Sequence, residues 1–218
     1  MRTGFMNVAS WLATDEPERA RKESREALAL WPHRGFQQQH MWGMVAETEA
    51  LLYQQDGAGA LAHLAAAWPS LRRSLLLRMQ FFFVVAHALQ ARAALVAAGQ
   101  ASPAKRRPLL VLARRSARKL AGLFYGHSRS LAALLRAGAN RLDGGDDRVR
   151  LELEQAVSGF DQAELAMHAP AARFRLGQCV GGDVGAQQCR ETEAWFRNQG
   201  VQRPDRFIAM LAPMPGDP

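Results

Sequence analysis

The chain has 218 residues, a formal net charge of +8, 48% hydrophobic residues and 22% charged residues. This length supports a substantial hydrophobic core, and the balance of apolar and charged residues excludes a wholly disordered chain. Alanine and leucine dominate, valine and isoleucine are scarce, and the chain has only two tyrosines, so the composition favours helices over strands.

In chain order, the first predicted helices are separated by short glycine, proline or aspartate breaks. A helix opening at Pro17 stops at Pro32, a second spans 36–57, and a third turns back before Pro69. A long apolar run follows over 71–98. It is interrupted at intervals too short for a membrane span, which predicts a buried core helix. The interrupting polar residues are Arg78, Gln80, His87, Gln90 and Arg92.

The segment "ASPAKRRP" at 101–108 is rich in proline and charge, and it predicts a loop or hinge. It would divide N-terminal helical hairpins over 1–100 from C-terminal hairpins over 109–218. The second half contains "LRAGANRLDGGD" and "FRLGQCVGGD", which echo each other at an offset of 37 to 39 residues. An offset of this size indicates two helical hairpins, over 128–163 and 164–200.

Each echo ends in a glycine pair followed by an aspartate. A glycine there lets the chain leave a helix in the left-handed conformation, and Asp146 and Asp183 are predicted to cap the helices that follow. No Lys-Ser or Lys-Thr follows either pair, so a phosphate loop of the Walker type is not indicated. The expected fold is therefore all-α, a tetratricopeptide-like α-solenoid of antiparallel helical hairpins.

Four stretches resemble the C-terminal helical region of bacterial, eukaryotic-like serine/threonine protein kinases: "RTGFMNVASWLA", "EALALWPHRGFQQQH", "LLYQQDGAGALAHLAAAWPSLRRSLLLRMQ" and "AARFRLGQCVGGD…AWFRNQGVQRPDRFIAML". The resemblance covers nearly the whole chain and is most specific between Trp195 and Leu211. The pattern departs from the tetratricopeptide consensus, since Arg173 stands in place of its tryptophan and Val180 in place of its tyrosine. The resemblance implies a regulatory region that works beside a kinase or ATPase domain in bacterial signalling.

The chain has no glycine-rich phosphate loop, strand lysine, catalytic-loop aspartate or Asp-Phe-Gly of a kinase. "GAGALA" at Gly57 follows a helix end and not a strand, which argues against dinucleotide binding, and "GHSRS" lacks the second glycine of a nucleophile elbow. Cys179 and Cys189 match no zinc spacing, and the six histidines are scattered. We therefore expect no catalytic residue, no metal and no cofactor.

Two features bear on the compartment. The first residues carry one basic side chain and a short apolar run broken by Asn7, which is poor material for a signal peptide. Two cysteines alone do not form the framework of a secreted disulfide scaffold. The expected location is the cytoplasm.

Charge is unevenly distributed. No acidic residue occurs between Gly57 and Leu142, where fourteen basic residues lie. The densest part supplies the candidate partner-binding residues Arg107, Arg114, Arg115, Arg118 and Lys119. Three interpretations remain open: neutralisation by the chain's own acidic flanks, an acidic protein partner, or nucleic acid.

The expected function is a non-catalytic protein-interaction or regulatory module of kinase signalling. The alternatives are a nucleic-acid-binding helical protein and an enzyme of unrecognised type.

Overall fold

The computed structural model describes residues 8–32, 35–124, 126–142 and 144–215, and in these ranges the protein is all-α, with no strand. This confirms the predicted fold class. The described ranges contain eleven α-helices and a 3₁₀ turn at Leu76–Arg78. The helices are α1 (Val8–Ala13), α2 (Pro17–Ala29), α3 (Gln38–Tyr53), α4 (Gly57–Arg73), α5 (Gln80–Gln100), α6 (Pro103–Ala121), α7 (Ser128–Arg141), α8 (Asp146–Gln162), α9 (His168–Val180), α10 (Gly182–Asn198) and α11 (Pro204–Leu211).

From α1 to α10, each helix packs on the next one in the chain. Helix α5 is the central element, because it contacts α3, α4, α6 and α7. It is the one helix in the described ranges that is long and apolar enough to cross a membrane, with a mean hydropathy of 1.7, but 78% of that apolar window is buried inside the protein. The apolar run expected over 71–98 is therefore a core helix only from Gln80 onward, since its first residues end α4 at Arg73 and then form the 3₁₀ turn at Leu76–Arg78.

Helix α11 returns to the N-terminal helices and does not extend the array. It contacts α3, α9 and α10. Just before it, the Gln202 amide donates to the Ala13 carbonyl at 2.8 Å. Asp15 then accepts hydrogen bonds from Tyr53 at 2.8 Å and from Arg206 at 3.1 Å. The two ends of the described chain are thus joined, an arrangement that the hairpin pattern did not predict.

The residues after α11, from Ala212 to Pro215, are buried. They run close to α7, where a Cβ at Gly138 would lie 2.7 Å from the Pro213 carbonyl oxygen. Only glycine allows this approach, so Gly138 in the first echo is a packing position.

Two buried arginines hold this C-terminal segment. Arg92 forms an ion pair with Glu49 and donates to the Met210 carbonyl at 3.2 Å. Arg175 donates to the Ala212 carbonyl at 2.7 Å. These bonds satisfy carbonyl groups at the end of α11 that lack partners within the helix.

Two predicted breaks are helical. The loop expected over 101–108 is confined to Ala101 and Ser102, because Pro103 occupies the first position of α6, where its missing N–H costs nothing. Pro108 lies within the same helix. Helix α4 likewise continues through Pro69 to Arg73. Both prolines are exposed, so each helix loses one backbone bond on its solvent side without a buried carbonyl being left unpaired.

The two echoes lie at equivalent places in consecutive helix pairs, α7–α8 and α9–α10. Gly144 and Gly181 have positive φ of 76° and 67°, a range that favours glycine, but Gly181 has ψ of −168° and so does not adopt the left-handed helical conformation that was expected there. The predicted capping role of the two aspartates is wrong. Asp146 and Asp183 lie in the first turns of their helices, whose cap residues are Gly145 and Gly181, and neither makes a capping side-chain bond.

Candidate partner-binding surface

Helix α6 carries the predicted cluster, and its sequence separates a buried face from an exposed one. Leu110, Ala113, Ala117 and Leu120 are buried and recur every three to four residues. This spacing places one apolar stripe against the core and leaves the arginine-rich positions on the other faces. The apolar pattern of the sequence therefore determines which cations reach solvent.

Four of the five predicted residues lie on the exposed face: Arg107, Arg115, Arg118 and Lys119. None of these four forms an ion pair within the described ranges. Between Arg107 and Arg115, one turn from each, Val111 is 53% exposed. We call Arg107, Val111, Arg115, Arg118 and Lys119 the α6 face. It combines four cations with an apolar side chain at its middle.

The fifth predicted residue, Arg114, is placed differently. Its guanidinium donates to the Ala139 carbonyl at 3.0 Å and approaches the Asn140 side-chain oxygen at 3.4 Å. Arg114 thus neutralises the carbonyl end of α7, where a cation is favoured by the helix dipole. It is a packing residue between α6 and α7 and does not belong to the α6 face.

At one end of the α6 face, Lys119 meets residues that are distant in sequence. Its ammonium lies 3.4 Å from Nε2 of His87 in α5. Partial burial lowers the pKa of Lys119, and the positive charges of Arg115 and Arg72 lower it further. Burial, and then the charge of Lys119, lower the pKa of His87 to about 4, so the imidazole is neutral at pH 7. Like charges are therefore held together here, an arrangement that a bound anion would stabilise.

Sequence spacing did not indicate the contribution of Arg72 and His87 to this region. Arg72 lies in the last turn of α4 and His87 lies in the apolar run of α5, and only the packing of α4 and α6 against α5 brings them to Lys119. His87 is buried between Trp68, with ring centroids 5.4 Å apart, and Phe83, at 4.3 Å. The one available signal was His87 as one of several polar interruptions in the long apolar run.

Some cations of the acid-free segment do pair with the acidic flanks. Arg92 pairs with Glu49, Arg136 with Glu152 at 3.1 Å, and Arg141 with Asp146 at 3.0 Å. Acidic residues of the flanking segments therefore neutralise some of the basic residues of α5 and α7. It does not extend to the α6 face.

Among the described residues, no group of three or more histidine, cysteine, aspartate or glutamate side chains is placed to hold a metal ion.

The stretch "GAGALA" forms the start of α4 and contributes to packing. The Asp56 side chain caps α4 by accepting from the Gly59 amide at 2.7 Å, and Gly57 packs directly on the backbone of Ala97. Ser128, at the position of the incomplete nucleophile elbow, is buried at the start of α7 and donates to the Leu123 carbonyl at 3.3 Å.

Comparison of the chain with protein-family models, with curated proteins and with solved structures gives no match. The resemblance to kinase-associated helical regions therefore depends on the sequence stretches alone.

Proposed function

We propose that the protein is a non-catalytic interaction module that binds an acidic segment of a protein partner through the α6 face. The observation that carries this proposal is the set of four exposed cations, Arg107, Arg115, Arg118 and Lys119, without an ion pair in the described ranges. Clustered cations of this kind attract acidic partners and speed their association.

A protein partner is favoured over nucleic acid by the composition of the face. Val111 places an apolar group at the middle of the cations, and protein interfaces typically have an apolar centre inside a polar rim. Helix α6 contains no aromatic residue, whereas proteins that bind single strands stack bases on aromatic rings among their cations.

The test is a charge-reversal pair of variants. Replacing Arg107, Arg115, Arg118 and Lys119 by glutamate takes the formal net charge from +8 to zero. The matched control reverses four exposed cations on other helices, Lys22, Arg148, Arg190 and Arg197, and reaches the same net charge. Binding of poly-L-glutamate should be lost in the first variant and retained in the control. Equal loss of binding in both variants, with helical circular dichroism intact, would show that net charge and not the α6 face is responsible, and retention of binding in both would contradict a role for the α6 face.

Salt dependence separates the two partner classes. Binding of duplex DNA would weaken steeply with salt, because each phosphate contact releases a counterion. For a protein-like partner, Val111→Asn, which removes the apolar contact without changing the charge, should weaken binding at low and at high salt, since an apolar contact is not screened. Tighter binding to DNA than to poly-L-glutamate, with no effect of V111N, would favour the nucleic-acid alternative.

The link to kinase signalling is part of the proposal and is supported by the sequence resemblance. It implies that the chain itself transfers no phosphate. An assay with labelled ATP and a generic protein acceptor tests this, and phosphotransfer by the purified protein would favour the enzyme alternative. A kinase or ATPase reading frame immediately upstream of Met1 would support the association.

A further inference from the structure

The connection between α4 and α5 exposes apolar side chains at one end of the helical array. Leu75 and Met79 are each 55% exposed, and Phe81, in the first turn of α5, is 40% exposed. We call Leu75, Met79 and Phe81 the α4–α5 tip. Single exposed apolar residues are common on folded proteins, whereas a group of them in one short connection marks a surface that contacts another molecule or a membrane.

The backbone and the packing of the α4–α5 tip set the positions of these side chains. Leu75 has a φ of 64°, in the left-handed region that glycine adopts easily and leucine does not. A glycine would suit this backbone and a polar residue would suit water, so a leucine here favours an apolar contact outside the described chain. The Phe81 ring packs against Phe82, with centroids 5.3 Å apart, and against Trp42, at 5.8 Å. These contacts hold the exposed edge of Phe81 in a fixed place on the core.

Exposed arginines flank the α4–α5 tip. Arg72 and Arg73 precede it in the last turn of α4, and Arg78 lies within it in the 3₁₀ turn. None of the three forms an ion pair within the described ranges. The whole connection also lies in the segment between Gly57 and Leu142, which contains no acidic residue. The tip therefore combines apolar groups with uncompensated positive charge.

The connection between α6 and α7 adds to the same end of the array. Lys119, in the last turn of α6, lies 3.4 Å from His87 in the second turn of α5, so the end of α6 lies beside the start of α5. Phe124, just beyond the end of α6, is 91% exposed, and the Arg129 guanidinium lies 5.1 Å from its ring centroid. This connection thus presents the same two chemistries, an exposed apolar group and a cation.

We propose that the α4–α5 tip docks the protein on a membrane surface that contains anionic lipids. The apolar side chains of the tip enter the boundary between head groups and acyl chains, while Arg73 and Arg78 contact lipid phosphates. Peripheral membrane binding combines these two contributions, buried apolar area and attraction of cations to anionic lipid. Groups that project from two neighbouring connections suit a broad surface of this kind.

A second copy of the chain is a less suitable occupant. A symmetric contact through the tip would bring the same uncompensated cations against one another, which is unfavourable. The proposed docking uses the end of the array and not the α6 face. It therefore goes beyond the proposed function and is tested separately from it.

The test compares sedimentation with vesicles of phosphatidylcholine alone and of phosphatidylcholine mixed with phosphatidylserine. The protein should sediment with the mixed vesicles and much less with the neutral ones. Leu75→Asn with Met79→Gln removes apolar groups at unchanged charge, and asparagine tolerates a positive φ. This variant should bind the mixed vesicles at least about tenfold more weakly, because less apolar surface is transferred from water. The matched control, Leu151→Gln with Val184→Asn, removes apolar side chains that are 54% and 73% exposed on α8 and α10, and it should bind normally.

A second pair of variants tests the cations. Arg73→Gln with Arg78→Gln should weaken binding to the mixed vesicles about 25-fold at low salt, because each cation near an anionic surface contributes about fivefold. Raising the salt concentration should reduce this difference, since exposed charges are screened. The matched control, Arg148→Gln with Arg190→Gln, removes two exposed cations on α8 and α10 and should have a much smaller effect.

Fluorescence measures insertion directly. Met79→Trp should add emission that brominated lipids quench in the mixed vesicles, whereas the emission added by Leu151→Trp should not be quenched. Binding of poly-L-glutamate by the variant Leu75→Asn with Met79→Gln should be unchanged, so a failure of this proposal is distinguishable from a failure of the α6-face proposal. If that variant does not fold, the arginine variants and the fluorescence still decide.

Three results would each overturn membrane docking: no sedimentation with the mixed vesicles, equal binding by the apolar variant and its control, or no quenching in Met79→Trp. Self-association that the apolar variant abolishes, without vesicle binding by the unaltered protein, would assign the α4–α5 tip to a second copy of the chain instead.

Discussion

The C-terminal segment should depend on Arg92 for its attachment to the helical array. The Arg92 side chain is 8% exposed and its partner Glu49 is 20% exposed, so the ion pair is largely shielded from water. The same guanidinium donates to the Met210 carbonyl in α11. Arg92→Met keeps the length and apolar contacts of the side chain while it removes every one of these hydrogen bonds.

The expected loss follows from this burial. Removing one partner of a buried ion pair costs about 3–5 kcal/mol, since the remaining charge keeps its desolvation penalty. Partial exposure of Glu49 favours the lower end, about 3 kcal/mol. In a protein of this size, 1 kcal/mol corresponds to about 2–4 °C, so the melting temperature should fall by about 6–12 °C.

Thermal and urea unfolding, followed by circular dichroism at 222 nm, measure this loss. Arg78→Met is the matched control, because Arg78 is exposed and forms no ion pair within the described ranges. The double variant Glu49→Met with Arg92→Met should be more stable than R92M alone, because no unpaired charge remains. A change of less than about 2 °C in R92M would refute the view that Arg92 anchors α11.

Three further outcomes are expected from urea unfolding. Gly177→Val should cost about 2 kcal/mol, because a Cβ there would lie 2.9 Å from the Gly185 carbonyl and 3.0 Å from the Cys189 sulfur; in the control Gly122→Ala the nearest neighbour is 3.7 Å away and no loss is expected. Asp56→Ala should cost about 1 kcal/mol by removing the cap of α4. Burial lowers the pKa of His168 to about 3, so below pH 6.5 this side chain binds more protons in the unfolded chain than in the folded one, and its contribution to stability should decrease by up to about 1.4 kcal/mol per pH unit toward pH 4, in addition to that of His87. His168→Gln should reduce the slope by about this amount between pH 6.5 and 5, and an unchanged slope would contradict the assignment to His168.

Helical periodicity was sufficient to predict the fold class and the burial of α5, because those depend on where apolar residues recur. Periodicity did not predict that two of the helices continue through their prolines. Pro69 and Pro108 look like breaks in a sequence, but an exposed proline removes one backbone bond without leaving a buried group unsatisfied. Whether a proline ends a helix therefore depends on which face it occupies in the folded protein.

The same limit applies to charge. Arg114 and Arg115 are adjacent in sequence and were predicted to act together, but successive helix positions differ by about 100°, so one packs on the end of α7 and the other is exposed. Arg92 and Arg175 are similarly indistinguishable from surface arginines until their carbonyl partners at the end of α11 are known. The return of α11 is a long-range contact, and short-range periodicity carries no information about it.

The lack of acidic residues between Gly57 and Leu142 predicted a basic surface on α6 for a physical reason. When helices pack mainly on their sequence neighbours, a charge bias along the chain becomes a charge bias in space. Helix α6 lies between α5 and α7, and neither of these helices contains an acidic residue. A carboxylate that neutralised the α6 face would have to reach past one of them, whereas Arg92 and Arg136 lie on helices that also contact α3 and α8, where Glu49 and Glu152 are located. The order of the helices therefore explains why the cations of the α6 face form no ion pair within the described ranges, which is the observation behind the proposed binding of an acidic partner.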